Sequence, residues 1–150
     1  MAWSAPISKS TGDLVSASDW NINTVDNPTA LLPAAIQFLF DGGGAAYGVD
    51  DPIYIEVPFK CDIVRVTMLH DQASTTTIDL WADTYANYQP TDADTITGGN
   101  EPATAAASKD QDATLTSWTK ALAEGTILAA NVDANDAATR TLLSLKVSRS

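Results

Sequence analysis

From residue 34 onward, apolar and polar positions alternate with a period of two, the pattern of half-buried strands. Ile36, Phe38 and Phe40 alternate with Gln37 and Leu39, and Asp41-Gly-Gly-Gly44 ends that run with residues that permit positive φ. Ile53, Ile55 and Val57 alternate with Tyr54 and Glu56 before Pro58 closes the run. Residues 61–70 read as a long strand. Residues 75–82 read as another, with Ile78, Leu80 and Ala82 on one face and Thr77, Asp79 and Trp81 on the other. The link Asp71-Gln-Ala-Ser74 predicts a hairpin between these two. Residues 126–132 and 139–148 are the last strands, and Asp133-Ala-Asn-Asp136 predicts the turn joining them. Residues 83–114 are irregular: their pattern predicts a helical turn at 103–108 and packing through the tyrosines, with a short strand following at 114–118.

Residues 1–33 are patterned differently. Ser16 or Ser18, followed by Asp19-Trp-Asn21, predicts a short capped helix through Val25, and Asp26-Asn-Pro28 stops it. The apolar residues here, Leu14, Val15, Trp20, Ile22 and Val25, are few and large. That suits contact with another surface better than a private core. The expected organisation is an N-terminal anchoring arm over 1–33 and a β domain over 34–150. About seven or eight short strands, long connections and no helical crossovers predict an all-β, antiparallel sandwich; the even strand count and long crossing loops favour a jelly roll over an immunoglobulin topology.

The formal charge of −11, from 19 acidic and 8 basic residues, argues against nucleic acid and anionic membranes as partners. The acids are spread along the chain, as on a self-repelling soluble surface. No apolar run reaches membrane-spanning length. Met-Ala-Trp-Ser-Ala-Pro lacks the basic and apolar regions of a secretory leader, so synthesis in the cytoplasm is expected. A chain of 150 residues can bury a core without a disulfide, and Cys61, the single cysteine, is expected to be a buried small hydrophobe.

Candidate chemistry is sparse. His70 is the single histidine and no Gly-x-Ser-x-Gly elbow accompanies it, so a structural role at a strand end is expected. One histidine and one cysteine do not make a zinc site, and Gly42-Gly-Gly44 lacks the lysine of a phosphate loop. Asp92-Ala-Asp94, Asp110-Gln-Asp112 and Asp133-Ala-Asn-Asp136 offer calcium-type oxygen ligands without the spacing of an EF-hand. Asp79 and Asp83 flank Trp81, and Tyr85 and Tyr88 follow. Carboxylates beside aromatic rings suit a sugar. The expectation is no catalysis, with Trp81, Tyr85 and Tyr88 as candidate glycan contacts. Neither an enzymatic activity nor a cofactor is expected.

Two parts of the chain carry a resemblance. The arm, Thr11-Gly-Asp-Leu-Val-Ser-Ala-Ser-Asp-Trp-Asn21 with Val25-Asp-Asn27 and Leu31-Leu32, resembles the N-terminal segment of tailed-phage fibre and minor structural proteins. Asn27-Pro28 departs from that pattern, which often continues as a helix. The remainder resembles a recurrent phage and prophage domain through six segments in order: Ile36-Gln-Phe-Leu-Phe-Asp-Gly-Gly-Gly44, Val57-Pro-Phe-Lys-Cys-Asp-Ile63, Ile78-Asp-Leu-Trp-Ala-Asp-Thr-Tyr-Ala-Asn87, Pro90-Thr-Asp-Ala-Asp-Thr-Ile96, Leu115-Thr-Ser-Trp118 and Leu143-Ser-Leu-Lys-Val147. The resemblance implies a virion structural protein, commonly a homotrimer, held on capsid or tail by its arm. It implies a decoration, cement or head-fibre role, or else the receptor- or glycan-binding module of a tail fibre, whose partner would be a host surface glycan.

Overall fold

The structure is a computed structural model that describes Leu14, residues 16–21 (the backbone alone at 19 and 21) and residues 31–149. The chain divides into two compact units, Met1–Ala34 and Ala35–Ser150. Among the described residues of the first, a short helix, α1 (Ala17–Asn21), begins after Ser16, whose carbonyl accepts the amide of Trp20 at 3.0 Å. The expected continuation to Val25 lies outside the described residues.

The rest is antiparallel β structure in one curled sheet, a half-barrel. Its strands are β1 (Pro33–Asp41), β2 (Ile53–Glu56), β3 (Cys61–Thr84), β4 (Ala103–Asp112), β5 (Ala121–Leu122), β6 (Thr126–Asn135) and β7 (Arg140–Arg149). All seven strands join in one sheet with the order β1-β7-β3-β6-β2, and β4 and β5 pair with β3 off this path. Hydrogen bonding therefore does not separate them into the two sheets expected of a sandwich.

Two expected turns are absent as turns, for one shared reason. β3 runs unbroken through Asp71-Gln-Ala-Ser74. Its first half pairs with β7, from Cys61↔Arg149 to His70↔Thr141, and its second half pairs with β6, from Thr76↔Asn135 to Thr84↔Thr126. β4 occupies the other edge of both halves, at Val66 to Leu69 and at Ser74 to Thr77. β6 and β7 thus lie end to end along a single edge of β3. Residues 133–136 are no hairpin; with 71–75 they form the facing bends of one long ribbon.

Side chains cross-link that bend. The Asp71 carboxylate accepts the amides of Thr139 and Arg140, at 3.1 and 3.0 Å, and the Thr139 hydroxyl. The Asp136 carboxylate accepts the Thr75 amide and the Ser74 hydroxyl, both at 2.8 Å. The polar residues that read as turn formers are used here to join two chains that both change direction. Ala106 in β4, with φ 49°, adopts a left-handed conformation where the β3–β4 register shifts between Ser74 and Thr76.

The core fills the inside of the curl. Ile36, Phe38 and Phe40 of β1, Val66 and Met68 of β3, and Leu143, Leu145 and Val147 of β7 are buried from the first half, as alternation predicts. Ile78 and Leu80 of β3 and Leu128, Ala130 and Val132 of β6 are buried from the second. Each such large side chain contributes about 1.5–3 kcal/mol relative to exposure. Cys61 is a free thiol buried among them, and burial, with Asp62 adding to it, raises its pKa.

Residues 83–122 hold the remaining differences. The segment expected to form a helical turn at 103–108 is β4, and 114–118 is not a strand: Leu115 and Ser117 have φ of 51° and 65°. The segment after β3 packs down through Pro90 and Ile96 rather than through Tyr85, which is 80% exposed.

Candidate functional site

The five arm residues singled out from the sequence divide by what is described. Leu14 is 90% exposed and Trp20 62% exposed. Val15, Ile22 and Val25 lie outside the described residues.

The proposed glycan trio is partly brought together, with an addition the sequence did not flag. On the outer face of the second half, Tyr54 of β2, Ala129 of β6 and Trp81 of β3 stand side by side in register. Tyr88 reaches back over this row and meets Tyr54 edge-on, with ring centroids 5.3 Å apart. Tyr88 remains 54% exposed. The Tyr54 phenol has its pKa raised by burial first, then by Tyr88 and Asp51. Tyr54 carried no signal beyond its place opposite Ile53 and Ile55 in an alternating run.

Trp81 is tied down rather than offered. Its indole N–H donates to the Asp79 carboxylate at 2.7 Å. Asp79, 4% exposed, also accepts the hydroxyls of Thr95 at 2.8 Å and Thr97 at 2.7 Å, and the Leu80 amide. Asp79 is therefore covered by protein and does not face solvent. The segment after β3 folds over it, pairing Thr95 with Trp81 and seating two threonine hydroxyls on the carboxylate. Four donors converge on one carboxylate, which is a structural use. Asp83, by contrast, caps its own turn, accepting Thr84 N–H at 2.6 Å and Asn87 Nδ2 at 3.2 Å.

His70 lies inside the bend. Its Nδ1 is 2.6 Å from Thr141 Oγ1 and its Nε2 is 3.1 Å from Thr104 Oγ1. Thr104 spends its hydroxyl proton on the Ser74 carbonyl at 2.8 Å, so Nε2 must be the donor to Thr104. Nδ1 is then the acceptor, taking the Thr141 proton, while the Tyr47 hydroxyl donates to Thr141 Oγ1 at 2.6 Å. The relay from Tyr47 through Thr141 and His70 to Thr104 and Ser74 fits one neutral tautomer. Burial lowers the His70 pKa, and Asp71 opposes this.

The acidic turns are likewise used locally. Asp94 closes a capping box with Thr91 on the 3-10 turn Asp92–Asp94. Asp112 accepts the amides of Thr114 at 2.7 Å and Leu115 at 3.0 Å. Asp133 takes Asn131 Nδ2 at 2.7 Å, and its pKa is raised by burial above all. Among the described residues no three His, Cys, Asp or Glu side chains are placed to hold a metal ion.

No protein-family model, curated protein or solved structure matches the chain. The resemblance to tailed-phage virion proteins therefore rests on the quoted residues alone.

Proposed function

We propose that this chain is a virion structural protein, attached by its N-terminal unit and presenting the half-barrel as a decoration, cement or head-fibre body. The supporting observation is the division of the chain at residue 34, with Leu14 at 90% and Trp20 at 62% exposure in the small unit. Large apolar side chains in water cost free energy that contact with a partner recovers. Three linked copies of a short attachment segment would hold far more tightly than one, which suits the homotrimer that the resemblance implies. The finer jelly-roll description belongs to this reading, as a jelly roll whose halves remain joined through the bent ribbon. Removing residues 1–33 is expected to abolish co-sedimentation with particles while the half-barrel keeps its melting transition. Undiminished co-sedimentation of the folded truncated chain would overturn the attachment role.

The second reading, a host-glycan module of a tail fibre, is favoured by one feature: the Tyr54–Tyr88 pair beside the 80% exposed Tyr85. Such rings stack on sugar faces. Glycan-array binding that disappears in Tyr85→Ala with Tyr88→Ala supports it; an array at background removes it.

A further inference from the structure

The two outer faces of the half-barrel differ. In the second half the segment after β3 covers the sheet, leaving Ala129 fully buried and Ile127 at 8% exposure. In the first half no described element of the same unit lies over the rows that β1, β7, β3 and β4 present. Their register follows from hydrogen bonds. Gln37 Nε2 donates to Ser144 Oγ at 3.2 Å, Gly42 N–H donates to the Thr139 carbonyl at 2.9 Å, and Asp41 pairs with Arg140 Nε at 3.0 Å. Leu39 therefore stands opposite Leu142, which is paired with Leu69, which is paired with Lys109. Three leucines lie abreast on adjacent strands, a row about 10 Å wide. Leu39 is 55% and Leu69 44% exposed.

The row next to the leucines, Gln37, Ser144, Thr67 and Gln111, is polar and uncharged, and cations lie around these two rows. Arg65 pairs with Lys146, Lys109 ends the leucine row, and Arg140 heads the next. These are four of the eight basic residues of a chain with net charge −11. Arg140 is already matched by Asp41 and by the Asp71 carboxylate that accepts its amide, so Arg65, Lys109 and Lys146 are the cations of this face that no described acid pairs. Arg65 Nε is buried with no partner among the described residues. A buried guanidinium donor left unpaired is costly unless an acceptor arrives.

We infer that this leucine-and-cation face receives the N-terminal segment of a second copy of the chain. Residues 12–27 carry Asp13, Asp19 and Asp26, no lysine or arginine, and the apolar Leu14, Val15, Trp20, Ile22 and Val25. That is the complement of the face in both charge and apolarity. The same face on another copy is not, since its cations would repel. The inference rests on the attachment reading and names the surface to which the segment attaches. A segment reaching from one copy to the next is a head-to-tail contact, which closes into a ring or continues as a lattice.

Charge reversal tests it on the full chain by sedimentation equilibrium. The parent is expected to self-associate with increasing concentration, and less so at high salt. Lys109→Glu with Lys146→Glu, both exposed positions, is expected to weaken association about tenfold or more. Asp13→Lys with Asp19→Lys should weaken it similarly, and combining the two pairs should restore it. Unchanged melting temperatures confirm that the variants fold. A parent that stays monomeric up to its solubility limit, reversed variants that associate like the parent, or a combined variant that fails to recover each overturns the contact. Particle co-sedimentation is measured in parallel. If removing 1–33 abolishes it while both reversed pairs leave self-association untouched, attachment stands and this contact fails. If reversal and restoration succeed but the truncated chain still binds particles, attachment fails and this contact stands.

Discussion

Thr141→Val tests the relay inside the bend. The substitution removes one hydroxyl and adds a methyl at a fully buried site. It takes the donor from His70 Nδ1 and the acceptor from the Tyr47 hydroxyl, each 2.6 Å away. A buried polar group left without its partner costs about 1–3 kcal/mol, so two cost about 2–6 kcal/mol. The extra methyl returns about 0.8 kcal/mol. The net loss is expected near 3 kcal/mol, which for a unit of this size lowers the melting temperature by about 10 °C. Circular dichroism melts at pH 7.5 read this directly. A second readout separates the relay from general loosening. Without the Thr141 proton on Nδ1 the neutral imidazole loses a stabilising bond, so the His70 pKa should move up toward its ordinary value of 6.5 in an NMR titration. A melting temperature within about 2 °C of the parent, or a His70 pKa that falls further, would refute the tautomer assignment and the relay.

Because the folded His70 pKa lies below 6.5, the unfolded chain binds the proton first, and stability should be complete above pH 6.5 and decline as pH falls through the folded value; melts across pH should show this step, and His70→Gln should remove it. A second decline is expected below pH 3.8, where Asp41, Asp71, Asp112 and Asp136, all with lowered pKa values, take up protons and lose their hydrogen bonds; Asp133, with a raised pKa, works against it. Gly98→Ala should lower stability by more than about 2 kcal/mol in denaturant titrations, since φ is 61° and a Cβ would stand 2.6 Å from the Ser117 carbonyl oxygen. Asp79→Asn turns amide protons toward donors that need an acceptor, so a loss of about 2–4 kcal/mol is expected, with a changed near-ultraviolet signal from Trp81.

Legibility in the sequence followed the burial of one face at a time. β1 and β7 alternate because one face meets the core and the other meets water, and their positions were plain; β2 was placed by its apolar run, although its burial does not alternate. β6 is buried on both faces over much of its length, so its polar end past Val132 read as a turn rather than as strand. β4 was unreadable because Ala103–Asp112 buries only Thr104, leaving small and polar residues with no apolar period. The bend misled for a chemical reason: Asp, Ser and Asn bond to nearby amides in a hairpin and across a bent ribbon alike. The same ambiguity hid the His70 relay, since neither Thr141 nor Tyr47 is distinctive until β7 lies beside β3. In the aromatic row, Trp81 and Tyr88 were legible but Tyr54 was not, because its partner row is set by pairing across β6.

The end-to-end course of β6 and β7 along β3 also dictates an order of assembly. The ribbon's most local pair is Thr84↔Thr126 and its most distant is Cys61↔Arg149. Chain closure favours starting at the former and zipping toward the latter, a non-local route that predicts refolding on the slow, millisecond-to-second scale. Among the described strands β1 pairs only with β7, so the first of these strands to be synthesised waits for the last before it can be hydrogen-bonded. Throughout synthesis Ile36, Phe38 and Phe40 therefore have no sheet to join. The growing chain exposes its stickiest strand longest, and nascent copies on one message would be most vulnerable to mispairing there.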